Sequence, residues 1–377
     1  MTIIINLVLY SLVAFLPFGE MLRFPWMFHA ALRVLDVFVG ILFFLTVVFK
    51  HTDYKDALKK NKSVLLFTGI LIVSNLWSFH NSTVSSALYL FRTILYLQIP
   101  LILDSLMKTI NRKKTLTILQ IGSAILICSA VFQYYLYPAI QNLFYLGYDS
   151  HYYRAVGLFL DPNLLGLVLV FIVLLLIHIP KSPVRILMLG AALITLALTF
   201  SRISILSLIV GVGIIFIGKR ISYKMLFLCA TIVGSVLVFI PKQLGEGNKL
   251  FRTNSIVAKT EAWQLGVGLW RQNPLIGIGF NNSQLYKPTI RPTAASIKIP
   301  DNSFYGLDST VLTLFVTSGI LGILGYFSVI AGLLRINSPL HTALTIAYFI
   351  HSFSTNSFLT PTVFLYFMLV YKLTERK

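Results

Sequence analysis

Charged residues are scarce in this chain: they make up 11% of its 377 residues, and only 12 of them are Asp or Glu. Soluble globular domains carry about a quarter charged residues, so this composition excludes an ordinary soluble domain. Cysteine is scarcer still, because the chain has only Cys128 and Cys229, both inside apolar runs. These two thiols are predicted to be small apolar side chains, and they indicate neither a disulfide framework nor a metal site.

Long apolar runs fill most of the sequence: 57% of the residues are hydrophobic and the mean hydropathy is +0.83. A helix crosses a membrane core with about 20 apolar residues. We therefore predict an all-α polytopic membrane protein of about twelve transmembrane helices, forming a single integral membrane domain over residues 1–377. The predicted spans cover residues 3–18, 31–49, 63–80, 84–103, 115–137, 159–179, 186–200, 203–218, 224–240, 307–333, 339–357 and 359–371.

Basic residues in the short loops predict the orientation, because such residues concentrate on the cytoplasmic side. With both termini inside, the inner loops and the C-terminal end hold most of the lysines, among them Lys50, Lys55, Lys59, Lys60, Lys62, Lys108, Lys113, Lys114, Lys181, Lys219, Lys224, Lys372 and Lys377. Much of the net charge of +19 is then a topology signal and does not indicate a nucleic-acid partner. Residues 241–306 become one large extracytoplasmic loop between spans nine and ten.

Five arginines show the opposite distribution, whereas Arg112, Arg185, Arg220, Arg335 and Arg376 lie on the inner side with the lysines. Arg23, Arg33, Arg92, Arg154 and Arg202 lie at or near the predicted outer ends of spans, where no lysine accompanies them. Guanidinium groups match phosphate oxygens with a fixed fork of donors, so this sorting predicts an outward-facing phosphate site. Two of these arginines also fit a different role: Arg33 has i,i+3 spacing to Asp36 and fits an ion pair, and Arg23 fits lipid headgroups. Arg92 lies inside a span, where a charge usually marks function.

The large loop contains the longest polar stretch and is expected to hold the working part. Ser255 to Gln272 shows apolar residues at helical spacing, which predicts an amphipathic helix near the outer leaflet. Asn273-Pro274 ends that helix, and Gly277-Ile-Gly279 follows. Paired glycines allow tight turns and close approach of the backbone to a ligand.

Four segments resemble motifs of the bacterial O-antigen ligase and polymerase superfamily. The first is Arg154-Ala-Val-Gly-Leu-Phe-Leu-Asp161-Pro-Asn163 with Gly166, and the second is Phe200-Ser-Arg202. The third runs from Lys259-Thr-Glu-Ala-Trp263 to Asn273-Pro-Leu-Ile-Gly277-Ile-Gly279, and the fourth from Asp308-Ser-Thr-Val-Leu312 to Ser318-Gly-Ile-Leu-Gly322. Together they cover roughly residues 150–325, in the order and on the side of the membrane expected for the family.

The resemblance implies an enzyme of the bacterial cytoplasmic membrane that uses an undecaprenyl-diphosphate-linked glycan as donor and a glycan as acceptor, with its active site facing outward. It implies inverting transfer with no cofactor or metal, and a chain-length regulator is a candidate protein partner. Arg154 and Arg202, assisted by Arg92 and Lys259, are expected to bind the diphosphate, with Asn163, Arg33 and Arg23 as secondary candidates.

Two departures from the family pattern matter. Lys259 stands where the family has arginine, which keeps the charge but loses bidentate binding. Asp308-Ser309 stands where ligases have His-Asn, so the expected base is Asp308 and a polymerase is favoured over a ligase. Asp301-Asn302 offers the same pattern seven residues earlier and competes for that role.

Several alternatives remain open. Asp308 fits a helix N-cap as well as a base, and Asp161-Pro162 fits a capped helix start. A ligase that attaches glycan to lipid A core or to a protein is the nearest alternative function. A transporter or flippase of a lipid-linked anionic substrate also fits the number of spans, although matched pairs of broken spans are missing.

Overall fold

A computed structural model of the chain describes residues 1–25, 31–78, 83–140, 151–180, 182–218, 254–283 and 307–375, with short runs between 223 and 235. The described part is mostly helical. Its helices are α1 (Thr2–Phe15), α2 (Val34–Phe49), α3 (His51–Lys60), α4 (Lys62–Trp77), α5 (Val84–Leu97), α6 (Ile99–Leu106), α7 (Arg112–Leu136), α8 (Pro162–His178), α9 (Pro183–Leu198), α10 (Arg202–Ile217), α11 (Asn254–Trp270), α12 (Thr310–Leu334), α13 (Pro339–Ser352) and α14 (Pro361–Thr374).

Helix starts follow short-range signals in the sequence. Five side chains accept a hydrogen bond from a backbone N–H in the first turn of the helix that follows: Thr83, Asn111, Asp161, Ser182 and Ser309. Such N-caps satisfy donors that the helix itself leaves unpaired. Proline is the first residue of α8, α9, α13 and α14, where its missing N–H removes no helical hydrogen bond.

Every predicted span overlaps a described helix except the ninth, residues 224–240, most of which lies outside the described residues. Three helical stretches within the described part are long and apolar enough to cross a membrane: Val84–Leu106, Arg112–Leu136 and Thr310–Leu334. The pair α2 and α3 passes the same test together but bends by 106° at Lys50. The multi-pass membrane fold is supported, and the count of twelve spans stays a prediction.

The structure differs from the prediction in two details, the presence of short strands and the end of the eleventh span. Short antiparallel strands pair β1 (Arg23–Pro25) with β2 (Ala31–Arg33), and β3 (Ala139–Ile140) with β4 (His151–Tyr152). The predicted eleventh span also ends early, because α13 stops at Ser352 and turns follow up to Thr360. Hydropathy alone did not detect that stop, since Phe353 and Phe358 keep the segment partly apolar.

The core of the molecule lies around α8 and α14. Nearly every side chain of both helices is buried, and both are apolar on all faces, as expected for central helices of a bundle. The surrounding helices instead leave large apolar side chains exposed, for example Leu136, Leu187 and Ile217. Exposed apolar surface of that extent suits contact with lipid.

The glycine pair of the third motif packs into a break in α12. At Gly319 the helix is interrupted, with φ 62° and ψ −157°. The backbone N–H groups of Ile278 and Gly279 donate to the carbonyl groups of Val316 and Thr317 at 3.1 and 3.0 Å. On the other side of the break, the N–H of Ile320 donates to the carbonyl of Pro274 at 3.0 Å. The third and fourth motifs therefore form one interlocked unit.

Charged side chains gather at the other end of the bundle. Lys372, near the end of α14, lies 2.6 Å from Asp104 on α6, and both side chains are almost fully buried. Lys60 pairs with Asp104 and Glu375, and Lys108 pairs with Asp53. We call Lys60, Asp104, Lys372 and Glu375 the ionic cluster. It brings together residues that the sequence assigned to separate cytoplasmic loops.

Candidate functional site

Asn163 is the meeting point of the first two motifs. It lies in the first turn of α8, directly after the cap formed by Asp161, whose Oδ1 accepts from the N–H groups of Asn163 and Leu164 at 2.7 and 2.8 Å. The capped start predicted for Asp161-Pro162 is thus confirmed. The cap fixes the direction of the Asn163 side chain, because it sets the backbone of the first turn.

Arg154 is buried, with 5% of its surface exposed, and points towards Asn163. Its Nη2 lies 3.4 Å from Asn163 Oδ1, and its Nε donates to the carbonyl of Thr199 at 2.8 Å. Gln133 on α7 holds the same segment, since its Oε1 accepts from the N–H of Val156 at 2.8 Å. Arg154 is therefore fixed between α7, the end of α9 and the start of α8.

Ser201 brings the second motif to the same place. Its Oγ donates to Asn163 Oδ1 at 3.0 Å and lies 2.8 Å from Ser204 Oγ. Arg202, the next residue, is partly buried at the first position of α10. Gly166 permits this approach of α10 to α8, because a Cβ there would lie 2.5 Å from Ser204 Oγ.

The backbone is unusual beside these motifs. Four non-glycine residues of the described part have a positive φ: Tyr153, Leu160, Phe200 and Asn281. The first three directly precede Arg154, Asp161 and Ser201, respectively. Left-handed backbone at non-glycine residues is uncommon and costly, and it concentrates at functional sites.

The last turn of α13 joins this group, although the sequence did not point to it. His351 is fully buried, and its Nε2 lies 3.1 Å from the carbonyl oxygen of Asn163 and 3.2 Å from Ser204 Oγ. We call Arg154, Asn163, Ser201, Ser204 and His351 the junction cluster. The only local signal was the polar run His351-Ser-Phe-Ser-Thr-Asn-Ser357 between two apolar helices.

Lys259 and Ser309 contact the end of α13 and the turn that follows it. Lys259 on α11 donates from Nζ to both oxygen atoms of Ser354, with 3.0 Å to the carbonyl oxygen. Ser309 Oγ donates to the carbonyl of Ser352 at 3.1 Å. The helix predicted from Ser255 to Gln272 is confirmed as α11, and it packs on α12 through Leu269 and Leu312.

Asp308 itself is exposed and precedes the cap of α12. The N-cap is Ser309, whose Oγ accepts from the N–H of Leu312 at 3.3 Å. The N-cap alternative for Asp308 is therefore wrong, because the following serine performs that function. The carboxylate of Asp308 is exposed to solvent, whereas a carboxylate that acts as a base is often partly shielded from water.

Arg33 and Arg92 lie in a different polar group. Arg92 pairs with Asp36 at 3.0 Å and also donates to the carbonyl of Ala31. Arg33 pairs with Glu20 at 3.0 Å, while its backbone N–H donates to Asp36 Oδ2 at 2.9 Å. The depth of Arg92 is thus compensated by a carboxylate. The guanidinium of Arg33 pairs with Glu20, and the backbone N–H of Arg33 contacts Asp36.

Arg23 is partly buried, and its backbone lies opposite that of Arg33 in the antiparallel pair of strands β1 and β2. Asp301 and the rest of residues 284–306 lie outside the described residues, as do residues 241–253 of the predicted loop. Within the described ranges, no three His, Cys, Asp or Glu side chains group in a way that could hold a metal ion.

Comparison with known proteins covers the second, third and fourth motifs, whereas the first motif lies outside the matched residues. A model of the O-antigen ligase family matches residues 187–327. The match includes Ser201-Arg202, Lys259, the interlocked glycines and Asp308, and it confirms the resemblance to the O-antigen ligase and polymerase superfamily. No curated protein matches the chain. An enzyme similar to the glycan-processing members of that family, with a lipid-linked glycan and an acceptor as its substrates, is thereby supported.

Proposed function

We propose that this protein is a surface-polysaccharide polymerase, which transfers a glycan from an undecaprenyl-diphosphate donor to the end of an acceptor glycan. The observation that carries the proposal is the convergence of Arg154 and the segment bearing Arg202 on one residue, Asn163. Lys259 binds Ser354 in the turn that follows α13, three residues after His351, which itself contacts Asn163.

Charge at this place favours a diphosphate. Arg154 and Arg202 bring two guanidinium groups, which match phosphate oxygens in geometry as well as in charge. The starts of α8 and α10 meet beside them through the bond from Ser201 to Asn163. Helix N-termini carry partial positive charge and free N–H groups, which adds to the attraction for an anion.

The proposed reaction is a single displacement with inversion. The acceptor hydroxyl oxygen attacks the anomeric carbon of the donor sugar, while the bond from that carbon to the diphosphate oxygen breaks. Undecaprenyl diphosphate leaves with the electron pair, and Arg154, Arg202 and Lys259 stabilise its growing negative charge without an obligatory metal. Asp308 takes the proton of the attacking hydroxyl. The exposure of Asp308 is compatible with a site that an acceptor enters from outside.

Polymerase is preferred because Asp308 replaces the histidine that the resemblance leads us to expect in ligases. Ligase remains the second candidate, since the matching family model is that of O-antigen ligase. Arg92 and Arg33 are not assigned to the diphosphate here, because carboxylates already neutralise them. Their proposed role is to hold α2 and α5 at the predicted outer surface.

The test uses purified protein in detergent with lipid-linked donor glycan. We expect Arg202→Ala to lower the rate of polymer formation by about a hundredfold, the size of the loss when a group that stabilises transition-state charge is removed. Asp308→Asn should lower that rate by about a hundredfold or more, the contribution of a general base. Arg271→Ala is the matched control, because Arg271 is an exposed arginine just after α11, and it should keep the wild-type rate.

The outcomes separate the candidates. Polymer made in detergent, where no compartments exist, excludes a transporter. Product that forms only when lipid A core is supplied would replace polymerase by ligase. Wild-type rates in both Arg202→Ala and Asp308→Asn would refute the proposed site.

A further inference from the structure

His351 occupies a position that its sequence context does not explain. Its side chain is fully buried in the last turn of α13, yet it contacts residues of two other helices. The carbonyl oxygen of Asn163 lies 3.1 Å from Nε2. Because a carbonyl can only accept, this contact requires the proton to be on Nε2.

The same N–H also lies 3.2 Å from Ser204 Oγ. Ser204 in turn contacts Ser201 Oγ at 2.8 Å, and Ser201 donates to Asn163 Oδ1. His351 therefore holds Asn163 through its backbone and Ser201 through one intervening hydroxyl. Arg154 contacts the side chain of the same asparagine.

These contacts connect the Arg154 segment, the Arg202 segment and α13. Loss of the His351 donor would weaken the attachment of α13 to the first turn of α8. Small displacements matter at such a place, since an error of about 1 Å in a catalytic geometry costs up to about a hundredfold in rate.

We propose that His351 is a positioning residue that sets the distance between Arg154 and Arg202 and so shapes the diphosphate site. This inference rests on the proposed function. It assigns His351 no contact with substrate and no proton transfer in the reaction.

The chain offers a matched control in His341 on the same helix. His341 is also buried, and its Nε2 contacts a backbone carbonyl, that of Tyr371, at 3.0 Å. Within the described part, the Nδ1 atoms of both histidines have no hydrogen-bond partner. His341 lies ten positions earlier on α13, at the end of the helix away from the junction cluster. Its replacement therefore tests only how much stability is lost with a buried histidine.

The experiment compares His351→Leu, His351→Gln and His341→Leu in detergent. Three quantities are measured: thermal unfolding, binding of undecaprenyl diphosphate in micelles, and kcat and KM of polymer formation. Glutamine keeps an N–H donor near the place of Nε2, whereas leucine removes it.

For His351→Leu we expect kcat lower by about tenfold or more and weaker binding of undecaprenyl diphosphate. His351→Gln should recover most of both. His341→Leu should lower the unfolding temperature about as much as His351→Leu but keep kcat and binding at the wild-type values.

Equal losses of kcat in His341→Leu and His351→Leu, or no recovery in His351→Gln, would overturn the inference. Wild-type kcat and binding in His351→Leu would overturn it too. Failure of the proposed function looks different, because the wild-type protein itself would then neither bind undecaprenyl diphosphate nor make product.

Discussion

Tyr153, Leu160 and Phe200 adopt left-handed backbone immediately before Arg154, Asp161 and Ser201. Each such residue costs about 1–3 kcal/mol unless it is glycine, so the surrounding contacts must compensate for it. Arg154, Asn163 and Ser201 supply those contacts with one another. At the scale of single residues, the three strained turns point the side chains of two motifs at one shared asparagine.

The cap of α8 can be tested at this scale. Asp161→Ala removes the acceptor for two N–H groups and should lower the free energy of unfolding by about 1–2 kcal/mol. Asp161→Ser keeps a capping oxygen and should remain close to wild type. Thermal unfolding in one detergent measures both, and equal unfolding temperatures for Ala and Ser would contradict the cap.

Arg154, Asn163 and Ser201 of the junction cluster lie in motifs that the sequence singled out, whereas Ser204 and His351 do not. Arg154, Asn163 and Arg202 lie in motifs whose residue types suggested phosphate binding before any geometry was known. His351 lies 188 positions from Asn163, and nothing local to either residue indicates their contact. For Asp308 the sequence predicted a place at the start of a helix, and Asp308 does lie one residue before the N-cap of α12. The N-cap itself is Ser309.

Helix starts were the most predictable elements, because caps and prolines act within one turn. The break in α12 was not predictable, since residues 310–334 have a high mean hydropathy and include only glycine as a sign of interruption. The partner of that break is Pro274–Gly279, at the far end of a long loop. A glycine pair that suggested approach to a ligand instead allows approach to another backbone.

The interlock gives a prediction at the scale of elements. A Cβ at Gly319 would lie 2.4 Å from the carbonyl carbon of Leu275, and its φ of +62° disfavours any side chain. Gly319→Ala should therefore destabilise the protein by about 2–3 kcal/mol and lower the yield of folded protein. Fluorescence-detected size-exclusion chromatography with heating measures both effects.

Gly69→Ala in α4 is the control for that change, because nothing lies within 4 Å of the added methyl group. Alanine favours a helix over glycine by about 1 kcal/mol, so this variant should be as stable as wild type or more so. If both alanine variants melted together, the close packing of Gly319 on Leu275 would be refuted.

At the scale of the whole molecule, two groups of polar side chains lie at different ends of the helix bundle. The junction cluster lies where α8 and α10 begin, and the ionic cluster lies where α6 and α14 end. The α14 helix connects the two regions, since it starts after the turn at residues 353–360 and carries Lys372 near its other end. The sequence predicts most lysines on one side of the membrane and five of the arginines on the other, and Lys372 and Arg154 do lie at different ends of the bundle. The pairing of Lys372 with Asp104 could not be deduced from hydropathy or charge counts.

The ionic cluster gives the prediction at this scale. Asp104 is the buried partner of Lys372 and also contacts Lys60 and Asn61. Asp104→Leu leaves Lys372 buried with Glu375 as its ionic partner, and loss of one member of a buried pair costs about 3–5 kcal/mol. Asp104→Leu with Lys372→Met should recover most of that loss, because two apolar side chains of similar size need no compensating charge.

Asp56→Ala breaks only the exposed pair with Lys59 and should leave the unfolding temperature unchanged. A double variant less stable than Asp104→Leu alone would mean that Lys372 has a role beyond neutralising Asp104.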